Sequence, residues 1–118
     1  MLAQKEYLVT AKQFRSLALK VPDATESSHM NHPDFRLGGK IFASLGYPDD
    51  HHGMINLTPD QQRVFLKQAP SVFMPCAGMW GKRGATNVRL AAARVELVRS
   101  ALAAAAMHVA VKKKGHGG

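Results

Sequence analysis

Six histidines and a single cysteine are the residues of this 118-residue chain that could ligate a metal or act as a nucleophile. Their spacing supports neither use. His29 and His32 are two residues apart, and His51 adjoins His52. Structural zinc takes four ligands, commonly with several cysteines among them. Adjacent histidines in an extended segment point to opposite sides. Cys76 stands between Pro75 and Ala77, with no sequence sign of a partner histidine. Neither a G-x-S-x-G elbow, an H-E-x-x-H pair, a Walker loop nor G-x-G-x-x-G occurs. The eight carboxylates fall mostly in caps and turns, and none suggests a matched acid and base. The expectation is a non-enzymatic domain with no catalytic residues, no metal site and no cofactor.

Cations offer chemistry of a different kind. The net charge is +8, and it is unevenly placed. Residues 1–60 carry six Lys/Arg and seven acids, whereas residues 61–118 carry ten Lys/Arg and Glu96 alone. Such asymmetry favours a polyanionic partner, with a solvated surface as the plain alternative. Arg36 and Lys40 bracket Gly38-Gly39, while Lys82 and Arg83 sit between Gly81 and Gly84. Arg89 follows on an alternating stretch. Basic hairpin tips contact phosphates along a groove, so these five residues are the candidate nucleic-acid contacts. Trp80, the one tryptophan, reads as a partly buried anchor or as a base-stacking platform.

Elements must hold these side chains in place. Tyr7, Ala11, Phe14, Leu17 and Val21 recur at helical spacing and predict a first helix over about residues 4–20. Residues 26–30 read as a short strand. The runs 34–37 and 40–45 alternate around Gly38-Gly39, a strong hairpin signal. In that hairpin Phe35, Leu37, Ile41, Ala43 and Leu45 would face the core. Arg36, Lys40, Phe42 and Ser44 would face the other way. Residues 54–57 read as another strand. Thr58-Pro59-Asp60-Gln61 then starts a helix that ends before Pro70, with Thr58 as cap and Gln61 closing a capping box. Residues 70–84 read as irregular, with a strand beginning at Met79-Trp80 and a basic turn at 81–84. A strand over 86–90 and a helix over 92–109 complete the pattern. The stripe of that helix is Val95, Val98, Leu102, Ala105 and Val109. The fold class is α+β: one antiparallel sheet of four to five strands with helices on one face. One domain spans 1–111, and 112–118 reads as a disordered basic and glycine tail.

The stretch His32-Pro33-Asp34-Phe35-Arg36-Leu37-Gly38-Gly39-Lys40-Ile41-Phe42-Ala43 resembles the signature of the MmcQ/YjbR family. Three later features agree in order: Leu57-Thr58-Pro59-Asp60-Gln61-Gln62, Met79-Trp80-Gly81-x-x-Gly84-x-Thr86, and the terminal helix. The likeness covers about residues 10–112. It implies a YjbR-like sheet related to frataxin-type and secretion-chaperone-like folds, and a DNA-binding domain of double-wing type. Ala85 departs from the family, which often has Trp there, so the resemblance implies the loss of a surface aromatic. A frataxin-like iron role would want an acidic first helix, but Lys12, Arg15 and Lys20 occupy it.

The expected partner is therefore DNA, held by phosphates with weak sequence specificity. The alternative is a chaperone-like domain whose basic face meets an acidic protein. A small-ligand site near Trp80 and Cys76 comes third. A lone cysteine, no signal-peptide core and no long apolar run point to a cytoplasmic chain without membrane contact.

Overall fold

The computed structural model describes residues 8–117, without the side chains of 111–117. Its first half runs Ala11–Leu19 (α1), Thr25–His29 (β1), His32–Leu37 (β2), Lys40–Leu45 (β3) and His52–Asn56 (β4). The second half runs Pro59–Gln68 (α2), Phe73–Pro75 (β5), Gly78–Lys82 (α3), Ala85–Arg89 (β6), a 3-10 turn Leu90–Ala92 and Val95–Gly117 (α4). The expected role of Tyr7 lies outside the described residues; the backbone of 112–117, expected as a separate tail, continues α4, and the tail's side chains and residue 118 lie outside what is described.

Local chemistry sets the boundaries. Thr10 caps α1: its Oγ1 accepts from Gln13 N at 3.1 Å, and Gln13 Oε1 accepts from Thr10 N at 3.0 Å. That reciprocal pair starts the helix at Ala11, later than the expected residue 4. Thr58 and Gln61 repeat the arrangement at α2, as the sequence predicts. Gln61 also donates from Nε2 to the Ala104 carbonyl at 3.2 Å, tying α2 to α4.

The sheet is antiparallel, with six strands in the order β1-β2-β3-β4-β6-β5. That exceeds the expected four to five, because the Pro-rich stretch after residue 70 holds β5. Three residues ending in Pro75 carry little alternation. A proline is tolerated there because β5 is an edge strand. A second surprise is the turn between β1 and β2. Met30 (φ 50°) and Asn31 (φ 67°) form a two-residue loop with left-handed backbone at both positions. Hairpin twist favours that geometry, but methionine does not advertise it.

One face of the sheet carries Phe35, Ala43, Gly53, Ile55, Thr86 and Val88, all buried. Helices α1 and α4 pack on its central strands and on each other. The Phe14 ring lies over Gly53, where a Cβ would sit 2.8 Å from the ring. From α4, Val98, Ala101, Leu102, Ala105 and Val109 are buried. Four phenylalanines (14, 35, 42 and 73) supply the largest buried side chains, each worth about 1.5–3 kcal/mol when fully covered.

Phe42 corrects the hairpin reading. Phe35 pairs with Ala43 and Arg36 with Ile41, so Phe42 is the extra residue of a β-bulge. The bulge breaks the alternation. Phe42 turns inward and is fully buried, while Ile41 comes opposite Arg36 instead of joining Leu37. No described helix is long and apolar enough to cross a membrane.

Candidate functional site

The β2–β3 hairpin, the end of β4 and the start of β6 meet at one end of the sheet. Asn56 pairs with Ala85, and Leu57 N donates to the Gly84 carbonyl at 3.2 Å. Asn56 Nδ2 also donates to the Ile41 carbonyl at 3.4 Å. A groove of about 340 Å³ opens here. Arg36, Lys40 and Trp80 line it, with Ile41 and Val109 as apolar wall, and Asn56 and His108 complete the polar side. No acid lines it.

Arg36 owes its position to a carboxylate that the sequence reading passed over. Asp34 is fully buried on the strand face it shares with Arg36. It accepts from Arg36 Nε at 2.7 Å, from Arg36 Nη2 at 3.0 Å and from His29 Nδ1 at 2.7 Å. The Arg36 bond holds Asp34 below the usual carboxylate range, against the upward push of burial, and His29 adds to the lowering. Two of the three guanidinium nitrogens are thus fixed, and Nη1 is left out of the pair. The signal was the Asp34-x-Arg36 spacing, which puts both side chains on one face of a strand.

Gly81 to Gly84 form no two-residue wing. Residues 78–82 are a short helix, so the expected strand at Met79-Trp80 and the expected hairpin tip at 81–84 are both replaced by α3 and its cap. Lys82 and Arg83 are exposed at the C-terminal end of α3. The glycines serve backbone contact. A Cβ on Gly81 would stand 1.8 Å from the Cys76 carbonyl oxygen, and one on Gly84 1.9 Å from the Leu57 oxygen. Gln62, buried on α2, reaches the Gly81 and Ala85 carbonyls and Thr86 Oγ1 with its Nε2, at 3.0 to 3.1 Å. Thr86 Oγ1 in turn donates to the Gly84 carbonyl at 2.8 Å. So the glycines and threonine of this motif lock α2, α3 and β6 together, and Trp80 is its outward member.

Trp80 is 73% exposed, which removes the anchor reading. Met79 beside it and Met74 on β5 are also exposed. Ala85, by contrast, is buried. Position 85 therefore presents nothing at the surface of this chain, and the expected loss of a surface aromatic there does not follow.

The five candidate cations divide. Arg36 and Lys40 line the groove, and Lys82 and Arg83 follow Trp80, which also lines it, by two and three residues. Arg89 pairs with His52 at the far end of β6, about 13 Å of strand from Ala85. Among the described residues, the acids Glu26, Asp34, Asp49, Asp60 and Glu96 pair with Arg15, Arg36 and His29, His52, Arg63 and Arg99. Lys40, Lys82, Arg83 and Arg89 enter no ion pair there.

The histidines do not converge. His29 and His52 are each engaged by an aspartate, and no three His, Cys, Asp or Glu among the described residues are placed to share a metal. Burial pushes the Cys76 thiol up to about 11, and its Sγ donates to Asn87 Oδ1 at 3.2 Å. A thiol held protonated makes a poor nucleophile. Cys76 also lies outside the groove lining, so the small-ligand reading loses one of its two residues.

The fold resembles the crystal structure of protein DR2400 of Deinococcus radiodurans, which carries a DUF419 domain. The TM-score is 0.71 at 17% identity, covering 86% of this chain and 79% of that one. DUF419 is related to the MmcQ/YjbR family, so this neighbour agrees with the signature stretch at the level of fold. No family model and no curated protein matches the chain.

Proposed function

We propose that this chain is a non-enzymatic DNA-binding domain that grips phosphates at the sheet end where the β2–β3 hairpin meets α3. The supporting observation is a groove lined by Arg36 and Lys40 and by no acid among the described residues, with Lys82 and Arg83 exposed just beyond Trp80 and in no ion pair among those residues. Phosphate contacts position a protein without reading sequence, and among the described residues no polar recognition helix stands here to read bases. Specificity is therefore weak. Three or four contacts release as many counterions, so affinity for a mixed-sequence oligonucleotide falls with salt at a log–log slope of roughly −2 to −4. A flat response between low and physiological salt sinks the proposal.

A second reading is docking of an acidic protein, favoured by the exposed Met79 adjoining Trp80 and the exposed Met74 on β5. Enrichment of one acidic protein by the wild-type chain, lost with Met79→Asp, would favour it, provided oligonucleotides fail to compete.

A further inference from the structure

We propose that the groove takes a single-stranded nucleic acid, with a base stacked on Trp80 and the flanking phosphates held by Lys40 and Arg36 on one side and Arg83 on the other. This rests on the phosphate-binding reading and narrows it from nucleic acid in general to unpaired strands.

Three observations lead there. The first is Trp80 itself. A large aromatic left 73% exposed on a short helix presents a π-face to solvent. An intact duplex keeps its base faces inside the stack and has nothing to lay on it, whereas an unpaired strand does. The second is placement of charge about the ring. Lys40 and Arg36 share the groove with Trp80, and Arg83, three residues on, is the C-cap of α3 with helical backbone, so helical spacing puts it on the Trp80 side. Aromatic platforms with cations along the backbone path are how strands are bound without sequence readout. The third is size and shape. About 340 Å³ is at the small end of ligand sites, roughly 300–1,000 Å³, and suits one nucleotide. Gly39 (φ 83°) leaves open space at the hairpin tip, so backbone approach there is unobstructed. Duplex readout would instead need a helix or a two-stranded ribbon entering a groove about 12 Å wide. With Lys82 ending a five-residue helix and Arg83 as its cap, the β2–β3 hairpin is the ribbon offered at this end among the described residues.

The single tryptophan makes the test direct, because all indole fluorescence reports this one site. Wild type is titrated with an oligothymidylate of about 12 nucleotides and with a duplex of the same length. The expected result is quenching of Trp80 by the single strand, and tighter binding of it than of the duplex. Trp80→Leu, which keeps apolar bulk without the ring, should weaken single-strand binding by roughly 5- to 100-fold, while Trp80→Phe retains most of it. Both substitutions are at an exposed position, and a circular dichroism spectrum matching that of the wild type is the check that they fold. Equal affinity for the two probes without quenching overturns the stacking inference and leaves the phosphate reading standing. Unchanged single-strand affinity in Trp80→Leu does the same. Binding of neither probe at low salt overturns both, and points to the protein partner.

Discussion

Asp34 is fully buried and charged, and its two partners decide what that costs. Arg36 satisfies it through two bonds, His29 through one. Arg36→Ala would leave a buried carboxylate held by a histidine alone. Removing one partner of a buried pair costs about 3–5 kcal/mol. Arg36 is partly exposed and water can enter in its place, so about 3 kcal/mol of lost stability is expected, read by urea denaturation at neutral pH. The pH dependence has a definite sign. The folded-state pKa of Asp34 lies below its unfolded value of about 3.9, so its contribution is present above that pH and is lost as pH falls through the folded pKa. Stability of the wild type should fall on acidification below about pH 4, and Asp34→Asn should flatten that slope. An unchanged slope in Asp34→Asn would place the acid sensitivity elsewhere. Arg36 is for the same reason a poor choice for testing binding, since its loss disturbs the fold. The sequence displayed Arg36 as a cation on a strand. It did not display the buried acid beneath it, because a carboxylate in an alternating run reads as solvent-facing until the side chains that meet it, here Arg36 and His29, are known. Trp80 misled in the other direction. A lone tryptophan between methionine and glycine looks like an anchor, and only the tight backbone packing at Gly81 explains why the ring is turned out.

Elements were legible where local chemistry alone fixes them. Thr58-x-x-Gln61 marked α2, and the same signal at Thr10-x-x-Gln13 would have placed the start of α1. Gly38-Gly39 marked the β2–β3 hairpin, and the stripe from Val98 to Val109 marked α4. What escaped depends on contacts distant in sequence. The bulge at Phe42 exists because the ring is drawn into the core, and β5 exists because β6 is there to pair with it. The basic link after β5 behaves likewise, since Gly81 and Gly84 approach backbone from other elements. Gly84→Ala should therefore be severe. Its φ of 113° disfavours any side chain, and the added carbon would strike the Leu57 carbonyl. A cost of about 3 kcal/mol or more is expected. Lys82→Ala with Arg83→Ala, which lie between the two glycines but leave both backbone contacts intact and are exposed, should leave the melting temperature nearly unchanged. Equal destabilisation by both changes would mean that the link is held by its charges. At the β1–β2 turn the direction reverses. Met30 pays for its left-handed backbone, so Met30→Asn with Asn31→Gly should stabilise by about 0.5–1 kcal/mol, seen as a rise of a few degrees in melting temperature.

Across the whole molecule the sequence located the charge excess but could not say where the fold would gather it. Residues 61–118 hold all of it, yet Arg94 sits in the bridge to Leu8 ahead of α4, and Arg99 on α4 is paired with Glu96. Arg89, expected to join Lys82 and Arg83, is carried by β6 to the opposite end, beside His52 and the Asp49-bearing loop. Meanwhile the acidic half of the chain delivers Lys40 and Arg36 to the groove. The resulting polarity makes a prediction that net charge cannot. Substitution of Lys82 and Arg83 together removes two unpaired cations at the groove end, whereas Arg89→Ala removes one unpaired cation at the far end. If binding were a diffuse effect of total charge, each lost cation would weaken affinity alike, and the salt slope would drop in proportion to the number removed. If phosphates are held at one end, the double substitution lowers the slope by about 1.5–2 and Arg89→Ala leaves it unchanged. Lys40→Ala should then behave like half of the double substitution although it lies some forty residues earlier, because the β2–β3 hairpin brings it to the same sheet end. A slope that falls equally for Lys40→Ala and Arg89→Ala would mean that the two ends of the sheet are equivalent to the ligand, and the groove would lose its claim to be the site.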